Sequence, residues 1–211
     1  MLNRHVRPVL ARVVDPVARG LLRAGVGPDA VTVVGMLGVV VASLWFFPRG
    51  QFLAGTLVVT VFVLSDLLDG TMARLQQRQS QWGAYLDSTC DRIGDAAVLL
   101  GIGWWALRSA SDGVDAPLSA DHATVLGVLT LSGLVVGFLV SYARARAEGL
   151  GVRADIGIAE RAERLILVLV ATGLVGLGLP HVALTIAMGV LTVLGLVTVG
   201  QRSLAVRREV G

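Results

Sequence analysis

Residues 65–95 read SDLLDGTMARLQQRQSQWGAYLDSTCDRIGD, and the five aspartates of this run join an apolar stretch that begins at Phe52 to one that ends at Leu107. Asp66 and Asp69 stand at i, i+3, and Asp87, Asp91 and Asp95 at i, i+4, i+8, so each set falls on one face of a helix. Two helices joined by a short turn pack antiparallel, which lets both sets of carboxylates converge. Several aspartates a few ångströms apart at membrane depth repel one another and are costly to desolvate unless cations hold them. Hard oxygen donors with no histidine or thiolate among them favour Mg²⁺ or Mn²⁺, and a pair of such ions suits phosphoryl-type displacement. The alternative is that the aspartates cap helices or pair with Arg74, Arg78 and Arg92. Gly70, Ala73 and Gly83 leave room for close helix approach or for a ligand.

The rest of the chain supports a membrane setting. Of 211 residues, 55% are hydrophobic and 16% charged, and the mean hydropathy is +0.75, well beyond a soluble domain of this size. A bilayer core of ~30 Å takes about 20 apolar residues per helix, leaving room for roughly six spans and little else. The stretches are Val31 to Phe47, Phe52 to Leu75, Trp82 to Leu107, Thr124 to Ala143, Leu165 to Leu179 and Val182 to Gly200. Residues 1–30, punctuated by Arg4, Arg7, Arg12, Arg19 and Arg23, are expected to form an interfacial amphipathic helix, and 31–211 the six-helix domain. The expected fold is therefore all-α and integral to the membrane. No removable signal peptide is expected at the N-terminus.

All 18 basic residues are arginine, and the single cysteine, Cys90, excludes a disulfide framework or a multi-cysteine metal site. Without lysine there is no Schiff-base chemistry. Arg49 and Arg108 fall on one side of the expected topology and the remaining arginines on the other, which puts both termini in the cytoplasm. Trp45, Trp104 and Trp105 fall near the outer ends of spans, where an aromatic belt is expected.

The pattern Asp66-x-x-Asp69-Gly70-x-x-Ala73-Arg74, eight residues, Gly83-x-x-x-Asp87-x-x-x-Asp91 resembles the complete signature of the CDP-alcohol phosphotransferase family. The resemblance implies a six-helix membrane fold, a homodimer, and transfer of a phosphatidyl-type group from a CDP-linked lipid to an alcohol with release of CMP. It implies that Asp66, Asp69 and Asp87 are metal ligands, that Asp91 shares the metal site and is the general base, and that Gly70 and Arg74 meet the nucleotide or its diphosphate. The chemistry agrees: an alcohol is a weak nucleophile that a carboxylate can activate, while cations and Arg74 neutralise the diphosphate. Asp95, outside the signature, is expected to be supporting or structural, and Cys90 to be packing.

A second polar cluster runs from Ser141 through Arg144, Arg146 and Arg153 to Arg161 and Arg164. It reads either as ordinary positive-inside charge or as a grip on a phosphorylated acceptor, since guanidinium forks bind phosphate bidentately. The segments Ala18 to Gly35 and Ser141 to Leu165 resemble the bacterial phosphatidylinositol phosphate synthase branch of the family, which uses CDP-diacylglycerol and inositol 1-phosphate. By that resemblance Ser141, Arg144, Arg146, Arg164 and Arg202 line the acceptor phosphate pocket, and Asp29, Ala30, Val31, Thr32 and Ser80 help hold the CDP-lipid. The branch carries a lysine where this chain has Arg144, which keeps the charge and changes the hydrogen-bond geometry. Arg202 also reads as a flank of the last span, and Pro28 with Asp29 as a helix start.

The competing expectations are glycerol 3-phosphate as the acceptor and, from another class, a divalent-cation transporter. A transporter places ionisable groups near the midplane, whereas these carboxylates sit at the cytoplasmic ends of two spans. A non-catalytic lipid-binding protein leaves the aspartates unexplained. Mg²⁺ or Mn²⁺, two ions, is the expected cofactor. The expected location is the bacterial inner (plasma) membrane with a cytoplasmic active site, with membrane lipids but no nucleic acid as partners.

Overall fold

The computed structural model describes residues 14–76, 80–111, 117–154 and 156–210. Arg4, Arg7, Arg12, Arg78, Asp112 and Asp115 lie outside the described residues. Among the described residues the structure is helical, with no strand: α1 (14–23), α2 (Pro28–Phe46), a 3₁₀ turn (Phe47–Arg49), α3 (Phe52–Val63), α4 (Asp66–Leu75), α5 (Gln81–Ser111), α6 (Ala120–Glu148), α7 (Arg161–Gly176) and α8 (Val182–Val210). The helices form two compact units, Met1–Ala42 with Val58–Gly94, and Ser43–Leu57 with Asp95–Gly211.

Among the described residues four helical stretches are long and apolar enough to cross a bilayer: Pro28–Arg49, Phe52–Leu75, Ala120–Glu148 and Val182–Val210. The two other expected spans fall short of that criterion for different reasons. The first half of α5 carries Asp87, Asp91, Arg92 and Asp95, while α7 has 16 residues. Large apolar side chains such as Val34, Val41, Val128, Val135, Ile186 and Val193 stay exposed. With this composition, such faces belong against lipid tails, and the chain is an integral membrane protein.

In the first unit, α1 closes with two bonds that end a helix on a left-handed residue: Val26 N to Leu21 O at 3.0 Å and Gly25 N to Leu22 O at 3.1 Å. Gly25 has φ 81°, which a side chain resists. The expected interfacial helix over 1–30 thus ends by residue 23, and Asp29 and Ala30 belong to the first turn of α2. Between α3 and α4 the backbone tightens into i→i−3 bonds, with Leu68 N to Ser65 O at 2.8 Å, and Ser65 Oγ donates to Phe62 O at 2.6 Å. Gly35 and Gly38 of α2 lie against this break, and a Cβ on either would strike Ser65 Oγ or the Phe62 ring. The break restarts the chain as α4 with Asp66 and Asp69 in its first turn, where the helix dipole favours acidic side chains.

In the second unit α6 and α8 pack most extensively, through Gly133 against Leu191 and Gly195 against Val136. Trp105 is not part of an exposed belt: it is buried and meets Phe52 edge-on at 4.8 Å and His181 at 5.1 Å, because its ring fills the space beside the short Phe47–Arg49 turn. Trp45 and Trp104 are exposed, as a belt requires. Burial first, and then the neighbouring His122, hold the His181 pKa below its usual value, which suits an imidazole packed between aromatic rings. Gly101 touches the backbone of Ser43; a Cβ there would lie 2.5 Å from the Ser43 carbonyl oxygen and 3.2 Å from Phe47 Cβ. Gly101→Ala is expected to cost about 1–3 kcal/mol, read as a lower Tm of the purified protein; an unchanged Tm contradicts the close approach.

Candidate functional site

Each aspartate of the signature owes its place to local helix geometry in the first unit. Asp66 and Asp69 occupy the first turn of α4, while Asp87 and Asp91 lie one turn apart on α5. Asp69 is buried, Asp66 and Asp91 are half-buried, and Asp87 is exposed. Asp66 and Asp87 are both close enough for their charges to act on Asp69, so carboxylates from α4 and α5 are brought together. Among the described residues, no three acidic, histidine or cysteine side chains are placed closely enough to chelate one ion. The cluster is an open arrangement of oxygen donors in which Asp69 is tethered from outside.

That tether is Thr32 of α2, whose Oγ1 donates to Asp69 Oδ2 at 2.6 Å and also lies 3.2 Å from Pro28 O. Asp29, three residues earlier, accepts from Trp82 Nε1 at 3.1 Å. Trp82 in turn sits 5.8 Å from the Tyr85 ring. Ala30 is exposed and Val31 half-buried on the same turns of α2. Ser80, expected at the CDP-lipid, accepts from Gly83 N at 2.9 Å and thereby caps the start of α5. A Cβ on Gly83 would come 3.1 Å from the Ser80 hydroxyl oxygen, so a side chain there would press on the capping hydroxyl.

Gly70 differs. It is exposed, and among the described residues nothing lies within 4 Å of where its Cβ would be. No packing among the described residues explains a glycine one residue after Asp69, and the open space beside the carboxylates is where a ligand could come close to the backbone. Arg74 folds back along α4, with Nε donating to Gly70 O at 3.1 Å and Nη2 to Thr71 Oγ1 at 3.0 Å, which leaves its exposed guanidinium on the Gly70 side of the helix. Oxygen-only donors of like charge, one buried, beside a vacant glycine surface fit a hard divalent cation together with a diphosphate.

The second unit holds the arginine cluster. Ser141 Oγ donates to Gly137 O at 3.1 Å, and a Cβ on Gly137 would lie 4.0 Å from Arg164 Nε, so Arg164 of α7 reaches α6 one turn from Ser141. Arg164 is buried; its Nη2 lies 3.6 Å from Asp95 Oδ2 and its Nη1 donates to Ala159 O at 3.3 Å. Arg161 Nε lies 3.5 Å from the other Asp95 oxygen. Asp95 therefore braces two arginines of the first turn of α7, a specific form of the supporting role expected of it. Arg144 pairs with Glu148 at 2.9 Å in an exposed i, i+4 contact, and Arg146 is exposed.

Arg202 is 2% exposed and donates to Val140 O at 2.6 Å and Ile156 O at 2.8 Å, with Glu160 at 3.9 Å. Its guanidinium ties α6 and the α6–α7 connection onto α8, so it is more than a flank of the last span. Thr198 assists by accepting from Ala159 N at 3.1 Å.

Sequence reasoning missed four contacts: Thr32 with Asp69, Trp82 with Asp29, and both Arg161 and Arg164 with Asp95. Each joins residues far apart in the chain. The available signals were a hydroxyl in the first turns of α2 and the i, i+3 spacing of Arg161 and Arg164.

The family model described as CDP-alcohol phosphatidyltransferase matches residues 26–201. The phosphatidylinositol phosphate synthase of Cutibacterium acnes is 46% identical over 97% of this chain and 97% of its own length. That of Streptomyces avermitilis is 44% identical over 99% of this chain and 84% of its own. A crystal structure of Mycobacterium tuberculosis phosphatidylinositol phosphate synthase with CDP-DAG bound superposes with a TM-score of 0.82 at 43% identity, covering 93% of this chain and 94% of the other. A second structure of that enzyme, in complex with manganese and citrate, gives a TM-score of 0.79 at 43% identity over 90% of this chain and 87% of the other.

Proposed function

This chain belongs to the CDP-alcohol phosphatidyltransferase family, and on that premise we propose that it transfers the phosphatidyl group of CDP-diacylglycerol to inositol 1-phosphate, forming phosphatidylinositol phosphate and CMP. One observation carries the choice of acceptor: relatives named for that product match nearly the whole chain. The complete signature, Asp66, Asp69, Gly70, Ala73, Arg74, Gly83, Asp87 and Asp91, supports the transfer chemistry.

In this reading Asp91 accepts the proton of an acceptor hydroxyl. The freed oxygen attacks the phosphorus of the phosphatidyl group, and the bond between that phosphorus and the bridging oxygen breaks, so the bridging oxygen leaves with CMP. Asp66, Asp69, Asp87 and Asp91 would hold two divalent ions, Mg²⁺ or Mn²⁺, which when bound neutralise the diphosphate. Arg74 and the open Gly70 surface receive the diphosphate, with Asp29, Ala30, Val31 and Thr32 at the nucleotide end of the lipid. Ser80 contributes by setting the start of α5. Ser141, Arg144, Arg146 and Arg164 bind the acceptor phosphate; Arg202 shapes that pocket by holding α6 and the α6–α7 connection. Ser141 and the arginines suit an anionic acceptor better than a neutral one.

The same reading places six spans in the bilayer, with α5 and α7 joining the four long apolar helices, the region 1–30 at the interface and 31–211 as the catalytic domain. It puts both termini and the site on the cytoplasmic side of a bacterial plasma membrane, and pairs the chain as a homodimer. An acceptor panel with CDP-diacylglycerol tests it. CMP release is expected with inositol 1-phosphate and is expected to vanish on chelation with EDTA and to return with Mg²⁺ or Mn²⁺. Release with glycerol 3-phosphate in its place would reassign the acceptor.

A further inference from the structure

Thr32 stands among residues expected to hold the CDP-lipid, yet its hydroxyl is already engaged. Thr32 is 8% exposed and Asp69 7%, and the bond between them, at 2.6 Å, is buried and joins helices through residues 37 apart in the chain. A hydroxyl has one proton to give. The carboxylate at 2.6 Å attracts it more strongly than Pro28 O at 3.2 Å, because a charged acceptor makes the shorter and stronger bond.

From this geometry we infer that Thr32 is a positioning residue for Asp69 in metal binding, acting through the carboxylate. The inference rests on the metal role proposed above for Asp69. A donor fixed on Oδ2, together with the Gly70 backbone N–H as a second hydrogen-bond partner of the carboxylate, sets the carboxylate plane and leaves further lone pairs for a cation. It also offsets part of the repulsion that Asp69 feels from Asp66 and Asp87. Threonine suits the task because a β-branched side chain in a helix has few χ1 rotamers, so the hydroxyl direction is held by the backbone of α2. The bond anchors the first turn of α4, just beyond the break at Ser65, to a neighbouring helix. Partners that orient a ligating carboxylate in this way change metal affinity by about 10–100-fold when removed.

The test is Mn²⁺ binding to the purified full chain without CDP-lipid or acceptor, followed by electron paramagnetic resonance of the free ion. Wild type is expected to bind, Asp69→Asn to lose the site, Thr32→Val to bind about 10–100-fold more weakly, and Thr32→Ser, which keeps the hydroxyl, to stay within a few-fold of wild type. Valine matches threonine in shape, so the folded state should persist; if Thr32→Val does not yield folded protein, Thr32→Ala replaces it in the same measurement. Wild-type Mn²⁺ affinity in a folded variant lacking the hydroxyl would overturn the positioning role while leaving the metal role of Asp69 standing. Failure of wild type itself to bind Mn²⁺ would remove the metal role, and this inference with it.

Discussion

Asp91→Asn is expected to lower turnover by about 10²–10⁴-fold, the range for loss of a positioned general base, while the protein still folds and still binds CDP-diacylglycerol. Asparagine keeps the shape of the side chain and cannot accept the proton of the acceptor hydroxyl. Asp91 is half-buried on α5, one turn beyond Asp87, so an isosteric change there leaves helix packing intact. The measurement is CMP release under saturating substrates, alongside Tm and CDP-lipid affinity. Near-wild-type turnover would remove Asp91 from the base role and leave it, at most, a share in the metal site.

Arg164→Ala is expected to have two separable effects. Loss of charge-assisted bonds to the acceptor phosphate, each about 1.5–3 kcal/mol, should raise the KM for inositol 1-phosphate by about 10–100-fold, with the KM for CDP-diacylglycerol changed far less. Stability should also fall, because Arg164 is buried against Asp95 and Ala159 O. Removing one partner of a buried ion pair costs about 3–5 kcal/mol, and the cost here is smaller because the Asp95 side chain is 20% exposed. Arg144→Ala separates the two effects. Its pair with Glu148 is open to solvent, at 43% and 55% exposure, and such pairs contribute about 0.3–0.5 kcal/mol. Tm should therefore hold while the acceptor KM rises. Equal increases for both substrates in the two variants would contradict an acceptor pocket built from these arginines. Arg164→Lys, which keeps charge and loses the planar fork, should fall between wild type and alanine.

Much of this protein was legible before any coordinates, because the decisive features are local. Apolar runs of span length report the membrane, since every buried backbone group must be satisfied within a helix. The i, i+3 and i, i+4 spacings of Asp66, Asp69, Asp87 and Asp91 follow from helix periodicity alone, and the order of glycines and aspartates carries the family. Pro28 with Asp29 marked the start of α2, as the structure has it.

What the amino-acid order left open depends on contacts between residues distant in the chain. Trp105 looked like an interfacial tryptophan from its position near a span end, and packing against Phe52 and His181 made it a core residue. Arg202 looked like either a flank of the last span or a lining residue of the acceptor pocket, and only the structure shows that Ile156 O and Val140 O each take one of its five N–H donors. Thr32 had no visible link to Asp69, nor Asp95 to Arg161 and Arg164, since no periodicity relates residues on different helices. Helix geometry is written in near-neighbour spacing, so sequence determined the helices, the membrane setting and the family signature. Which hydroxyl or guanidinium holds which carboxylate is set by how closely particular helices approach, and that depends on small residues such as Gly35, Gly38 and Gly137 whose partners only the tertiary structure reveals.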